Sequence, residues 1–184
     1  MSQATDITQQ LPLAWPSYIA GEPVQTGDLL EVRYPWDGSL TGTLPRITPD
    51  QLEQAIQAAL GQAQPPTRNE RYEILMRARD LLAARADEFA NLIRLESGLC
   101  MRETRYEVGR AQEVFKFAAA EALRDDESIF SCDAARNGPA RKIFTMREPL
   151  GLVAAITPFN HPLNQVAHKL APAIAAGVPV LLKP

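Results

Sequence analysis

Two cysteines, Cys100 and Cys132, and two histidines, His161 and His168, are all that the 184 residues offer as soft ligating side chains. There is no C-x-x-C spacing and the histidines stand seven apart, which argues against a disulfide framework and a compact zinc site. Both thiols are expected to be reduced and structural. An excess of basic residues is also missing. Nineteen Lys and Arg face 22 Asp and Glu, for a net charge of −3. No basic cluster interleaves with aromatics, so nucleic acid is not the expected partner. The longest uncharged apolar tract, "LAPAIAAGVPVLL", is too short to span a bilayer and carries proline and glycine. The opening "MSQATDITQQ" lacks the basic residue and apolar core of a signal peptide, so the expected location is the cytoplasm, with no membrane partner. Last, no G-x-G-x-x-G follows a strand, so a Gly-rich phosphate cradle is absent from its usual place.

The residues that are present divide the chain into four. Residues 1–47 read as β hairpins. "SYIAGEPV" gives a strand, a Gly-Glu-Pro turn and a second strand, and "LLEVRYPWDGSLTGTLP" gives a hairpin turning at Asp37-Gly38. Trp15, Tyr34 and Trp36 are expected to pack. Residues 48–125 are helical. Thr48-Pro49-Asp50-Gln51 and Thr67-Arg68-Asn69-Glu70 each have the form of a capping box. Ile74, Leu75, Ala78, Leu81 and Leu82 mark the apolar face of the second helix. A third stops at Gly98, and a fourth runs from near Glu103 to near Asp125. Residues 126–150 form a connector with an edge strand or arm at Lys142–Met146.

Residues 151–184 change character. "LVAAIT" is an apolar run suited to a strand buried on both faces. "LNQVAHKLAPAIAAG" is helical, with Pro162 at its start, Gly177 just past its end and Pro172 expected to kink it. "VPVLLKP" is a second buried strand. Strand, helix and strand make a βαβ unit, the opening of a Rossmann-like parallel sheet. Such a sheet needs more strands to cover those apolar runs, so the expected fold class is α/β and incomplete: a helical segment plus the first βαβ of a cofactor domain, the N-terminal part of a larger protein.

In open α/β sheets ligands bind beyond the carboxyl ends of the strands. "TPFNHP" occupies that place here. Asn160 offers two amide N–H donors and a carbonyl there, and also fits as a plain helix N-cap. Lys183 ends the second strand, suited either to donating to ribose hydroxyls or to extending into solvent.

Glu148 to Pro184, "EPLGLVAAITPFNHPLNQVAHKLAPAIAAGVPVLLKP", resembles the NAD(P)-dependent aldehyde dehydrogenase superfamily. The "TPFNxP" turn, the helix ending "APAIAAG" and the "LKP" strand end carry the likeness. The capped helices, "RLESG" and the N-terminal hairpin extend it over nearly the whole chain. The resemblance implies oxidation of an aldehyde to a carboxylate through a thiohemiacetal, with NAD as cofactor and NADP as the alternative. It makes Asn160 the oxyanion-hole amide. Ile156, Thr157, Pro158 and Phe159 become lining for the cofactor, and Lys183 the donor to its adenosine ribose. The family's nucleophilic cysteine and general-base glutamate lie downstream of "LKP", and neither Cys100 nor Cys132 stands in the nucleophile's motif. The 184 residues alone are therefore expected to be inactive, with the catalytic domain absent and the full-length protein a homo-oligomer.

For the substrate, Tyr106, Arg110, Val114 and Phe117 share a helical face by spacing. Arg110 either pairs with Glu107 or Glu113 on its own helix or clamps an anion. In the resembled family this helix borders the substrate tunnel, where His161 would join it, and His168 would pack or line the wall. An Arg and a His together favour an anionic aldehyde. "VRYPWDGSLTGTLP", "ESGLC", "YEVGRA" and "FSCD" look most like the phosphonoacetaldehyde branch, with lactaldehyde or another small aldehyde as the alternative. A competing reading is a truncated product that only binds nucleotide or assembles.

Overall fold

A computed structural model describes residues 14–62 and 64–184. The segment "MSQATDITQQ", read above as lacking a signal peptide, lies outside the described residues. Strands β1 (Ser17–Ile19) and β2 (Glu22–Val24) form an antiparallel hairpin. Its turn is Ala20-Gly21, with φ of 51° and 85°. The expected Gly-Glu-Pro turn is thus displaced: two positive-φ residues close a two-residue hairpin, and Glu22 and Pro23 belong to the strand. β3 (Leu29–Arg33) pairs antiparallel with β4 (Leu40–Pro45), turning at Asp37-Gly38. The Asp37 carboxylate accepts from the Ser39 amide at 2.9 Å and its hydroxyl at 2.6 Å, which closes the turn locally. Of the three aromatics expected to pack, Trp36 does not, being 85% exposed on the hairpin turn. Tyr34 does dock, with its ring 5.4 Å beneath the Arg94 guanidinium.

Four helices follow: α1 (Pro49–Leu60), α2 (Arg68–Ala84), α3 (Ala86–Ser97) and α4 (Met101–Ala122). Both capping boxes form. At α2 the Thr67 hydroxyl accepts from the Glu70 amide at 3.3 Å, and the Glu70 carboxylate accepts from the Thr67 amide at 2.7 Å. The backbone and side-chain hydrogen bonds from Thr67 hold the Glu70 carboxyl below its ordinary value. A carboxyl lowered on folding stabilises the fold above its unfolded pKa and loses that contribution as pH falls through the folded value. The stability loss in Glu70→Ala is therefore expected at neutral pH and should shrink on acidification, which urea unfolding at several pH values would show; a pH-independent loss would contradict this.

α4 begins two residues before the expected Glu103. It ends before Asp125, whose carboxylate is held by Arg68 of α2 at 3.0 Å. The apolar face of α2 divides in the same way: Leu75 and Leu82 are buried, while Ile74 and Leu81 remain on an open side.

The connector holds a hairpin rather than a lone strand. β5 (Ser128–Ser131) pairs antiparallel with β6 (Lys142–Thr145), and β6 is exposed along its length. "SIFS" is too short to announce a strand without its partner.

β7 (Val153–Ile156) and β8 (Val180–Lys183) run parallel, with Ile156 opposite Lys183, and α5 (Pro162–Ala176) connects them. α5 stays one helix through Pro172, which lies on its exposed side. It ends at Gly177, with φ of 76° and Arg71 and Pro65 atoms 3.0 Å from where a Cβ would sit. Burial of β7 on both faces is not found: Ala155 is buried, but Ile156 is 68% exposed. The two-stranded sheet has α5 packed against it, and nothing among the described residues covers Ile156.

Two apolar clusters join α2 to α5. One is built on Leu82, Ala90, Ile93, Val108, Ala111 and Ala167, the other on Leu75, Ala118, Ala119, Ala122 and Ala171. Alanines at most of these positions let α4 lie close against α2 and α5. That close packing places a side chain of α4 directly at the start of α5.

Candidate active site

The turn between β7 and α5 is short and held at both ends. The Thr157 amide donates to the Lys183 carbonyl at 3.1 Å, extending the pairing of β7 with β8. Pro158 and Pro162 each fix a backbone φ. Only Phe159, Asn160 and His161 lie between the two prolines.

At the far end the N-cap of α5 is His161, not Asn160, and His161 makes no side-chain cap bond. The reading of Asn160 as a helix cap is thereby removed. Pro162 at N1 pushes the cap position to residue 161, and imidazole is a poor substitute for Ser, Thr, Asn or Asp there. The exposed Asn160 amide makes no hydrogen bond to any described residue.

The acceptor for the α5 N-terminus comes instead from α4. Glu107, 2% exposed, accepts with Oε1 from the amides of both Leu163 and Asn164, each at 2.9 Å. A buried carboxylate is costly unless it is hydrogen-bonded, and a helix N-terminus supplies both N–H donors and favourable dipole charge. The second oxygen, Oε2, has no hydrogen-bond partner but lies 3.5 Å from His161 Nδ1, within ion-pair range. The buried Asn164 Oδ1 is likewise without a partner among the described residues. Sequence reading passed over Glu107 except as a possible mate for Arg110. The one signal available was spacing: Thr104, Glu107, Val108 and Ala111 share a helical stripe, which the structure buries.

Arg110 sits one turn beyond Glu107, exposed. Neither carboxylate of its own helix pairs with it. Glu107 is committed to α5, and Glu113 receives Lys116 at 3.3 Å. Arg110 has no ion-pair or hydrogen-bond partner among the described residues. Tyr106 and Phe117 share its open side, but Val114 turns inward against the core, so the expected four-residue face is three residues wide. His168 is not packed, as one of its two expected roles required, but lies exposed on α5.

Ile156 and Lys183 are side by side at the strand ends by register. Phe159 is 90% exposed on the same turn. This edge therefore offers an apolar ledge beside an ammonium group, which fits a ligand with flat rings and hydroxyls. Two cavities, of about 840 and 810 Å3, are lined by residues other than Asn160, His161, Arg110 and Lys183. The candidate site is an open strand end rather than an enclosed pocket. Cys100 occupies the N-cap position of α4 without a side-chain cap bond and Cys132 lies in the connector, and neither belongs to this turn. Among the described residues, no helix is long and apolar enough to cross a membrane.

The profile of the aldehyde dehydrogenase family matches residues 23–184. The chain is 39% identical over 168 residues to 3-sulfolactaldehyde dehydrogenase of Priestia aryabhattai, covering 91% of this chain and 35% of that protein. Aldehyde dehydrogenase 21 from Physcomitrella patens, solved with the reaction product succinate, superposes with a TM-score of 0.91 at 31% identity, covering 95% of this chain and 37% of the other. The NADP-dependent glyceraldehyde-3-phosphate dehydrogenase of Bacillus halodurans C-125, solved with NADP, gives 0.82 at 32% identity over 88% of this chain and 35% of the other. The chain thus spans about a third of the length of these relatives. With the fold, the strand-end turn and the sequence in agreement, the chain belongs to the aldehyde dehydrogenase family.

Proposed function

We propose that the full-length protein oxidises a small anionic aldehyde to its carboxylate with NAD, or alternatively NADP, as hydride acceptor. The observation that carries this reading is the Asn160 amide, left free at the strand end because Glu107 does the capping. An unengaged amide in a braced turn suits donation to an aldehyde oxygen as attack at the carbonyl carbon turns it into an oxyanion. Ile156, Thr157, Pro158 and Phe159 would line the cofactor's path, and the Lys183 ammonium would donate to its adenosine ribose hydroxyls. A bound nicotinamide supplies the hydride acceptor.

The nucleophilic cysteine and the base that activates the deacylating water are assigned to sequence beyond these 184 residues, since Cys100 and Cys132 both lie away from the turn. The isolated chain is accordingly proposed to be inactive. Residues 48–125 and 151–184 would belong to the cofactor domain, and the 126–150 hairpin would serve as an assembly arm in a homo-oligomer.

The substrate reading rests on charge. Arg110 has no ion-pair partner among the described residues, and His161 stands at the same end of α4, its Nδ1 3.5 Å from Glu107. A guanidinium, with an imidazole N–H as a second donor, suits a phosphonate or sulfonate tail. Phosphonoacetaldehyde is the first candidate, and the sulfonate named for the Priestia relative has the same chemistry. Lactaldehyde, its uncharged counterpart, is the alternative. The test is aldehyde-dependent reduction of NAD or NADP by the full-length protein. Higher kcat/KM for phosphonoacetaldehyde or 3-sulfolactaldehyde than for lactaldehyde and propanal is expected. A preference for the neutral pair would refute the anionic reading, and no turnover with any of them would refute the activity.

A further inference from the structure

We infer that Glu107 is a positioning residue for Asn160, acting through the first turn of α5; this deepens the proposed function and rests on it. A local cap would have tied a turn side chain to the helix. Here the acceptor arrives from another element, and the turn side chains keep their hydrogen-bonding capacity.

The geometry argues that more than helix stability is involved. Both bonds fall on consecutive amides, Leu163 and Asn164, at 2.9 Å. One oxygen holding two adjacent N–H groups fixes the orientation of the helix start as well as its position. From there only Pro162 and His161 separate the bonded amides from Asn160, and His161 is itself held near the same carboxylate at 3.5 Å. At the other end the Thr157 amide is pinned to β8. Asn160 is therefore three residues from an anchor on each side, between two residues of fixed φ. Without Glu107 the C-terminal anchor is lost, while the pairing of β7 with β8 does not involve it. The Asn160 donor keeps its chemistry and loses its aim. Catalytic donors act through preorganisation, so a displacement on the order of 1 Å can cost about a hundredfold in rate.

A double-mutant cycle in the full-length enzyme tests this, with Asn160→Ala as the first arm. Glu107→Ala is expected to lower kcat by about tenfold or more, with KM for the aldehyde changed less than about twofold, the pattern of an interaction made in the transition state. In the Asn160→Ala background the same substitution should change kcat by less than about threefold, because residues acting as one unit are not additive. Glu107→Gln should recover most of the loss, since its amide oxygen accepts from the same two N–H groups. If Glu107→Ala does not fold, Glu107→Asp carries the cycle, being one methylene too short to reach both amides. Fully additive losses, or an unchanged kcat in the Glu107 variant, would overturn the inference while leaving the proposed function standing. An unchanged kcat in Asn160→Ala alone would remove the oxyanion role of Asn160, and this inference with it, before Glu107 is considered, whereas no turnover by the parent enzyme would remove the proposed function itself.

Discussion

Asn160→Ala in the full-length protein is expected to lower kcat by about 10²- to 10³-fold, the usual consequence of deleting one oxyanion-hole donor. KM for the aldehyde should move little, because the ground-state carbonyl carries far less charge than the oxyanion. Stability should move little as well. The side chain is exposed and bonds to no described residue, so its removal leaves no buried group unpaired. This separation of rate from stability is the useful feature of the experiment. Steady-state kinetics paired with thermal unfolding would measure it. A loss of kcat that tracks a loss of folded protein would mean that Asn160 is structural. A rate within about threefold of the parent would mean that the charge of the transition state is stabilised elsewhere.

Arg110→Ala is expected to raise KM for phosphonoacetaldehyde by about ten- to a hundredfold, the worth of one charge-assisted hydrogen bond to an anion. KM for propanal should stay within about twofold, since a neutral aldehyde has nothing for the guanidinium to hold. Arg110 has no partner among the described residues, so deleting it strands no carboxylate there. Arg110→Lys should recover only part of the loss, as an ammonium cannot present the planar two-pronged donor set. Equal effects on the charged and neutral aldehydes would show that Arg110 shapes the site without recognising the anion.

Much of the local structure was legible before any tertiary contact was known, for the reason that short-range chemistry decides it. Thr48 with Gln51 and Thr67 with Glu70 fix two helix starts by hydrogen bonds spanning three residues, and both form as the spacing requires. Gly98 and Gly177 end helices in the left-handed region, which glycine, having no Cβ, enters at the least cost. Failures cluster where the deciding partner is distant in sequence. β5 exists because β6 pairs with it, and Trp36 is exposed because the hairpin that carries it docks through Tyr34 instead.

The turn after β7 shows the same division at the candidate site. The sequence alone determined that a strand would end there, that prolines would stiffen the turn and that Asn160 would stand before a helix. It could not decide whether Asn160 caps that helix, because Asn serves as a cap and as a free donor with the same side chain. The tertiary structure decided it. Close packing of α4 on α5 through alanines brings Glu107 to the Leu163 and Asn164 amides, 56 and 57 residues along the chain. An anion buried there must bond those N–H groups, since burial without partners would cost more than the fold can offset. Once it does, the cap position needs nothing from the turn, and Asn160 is left free.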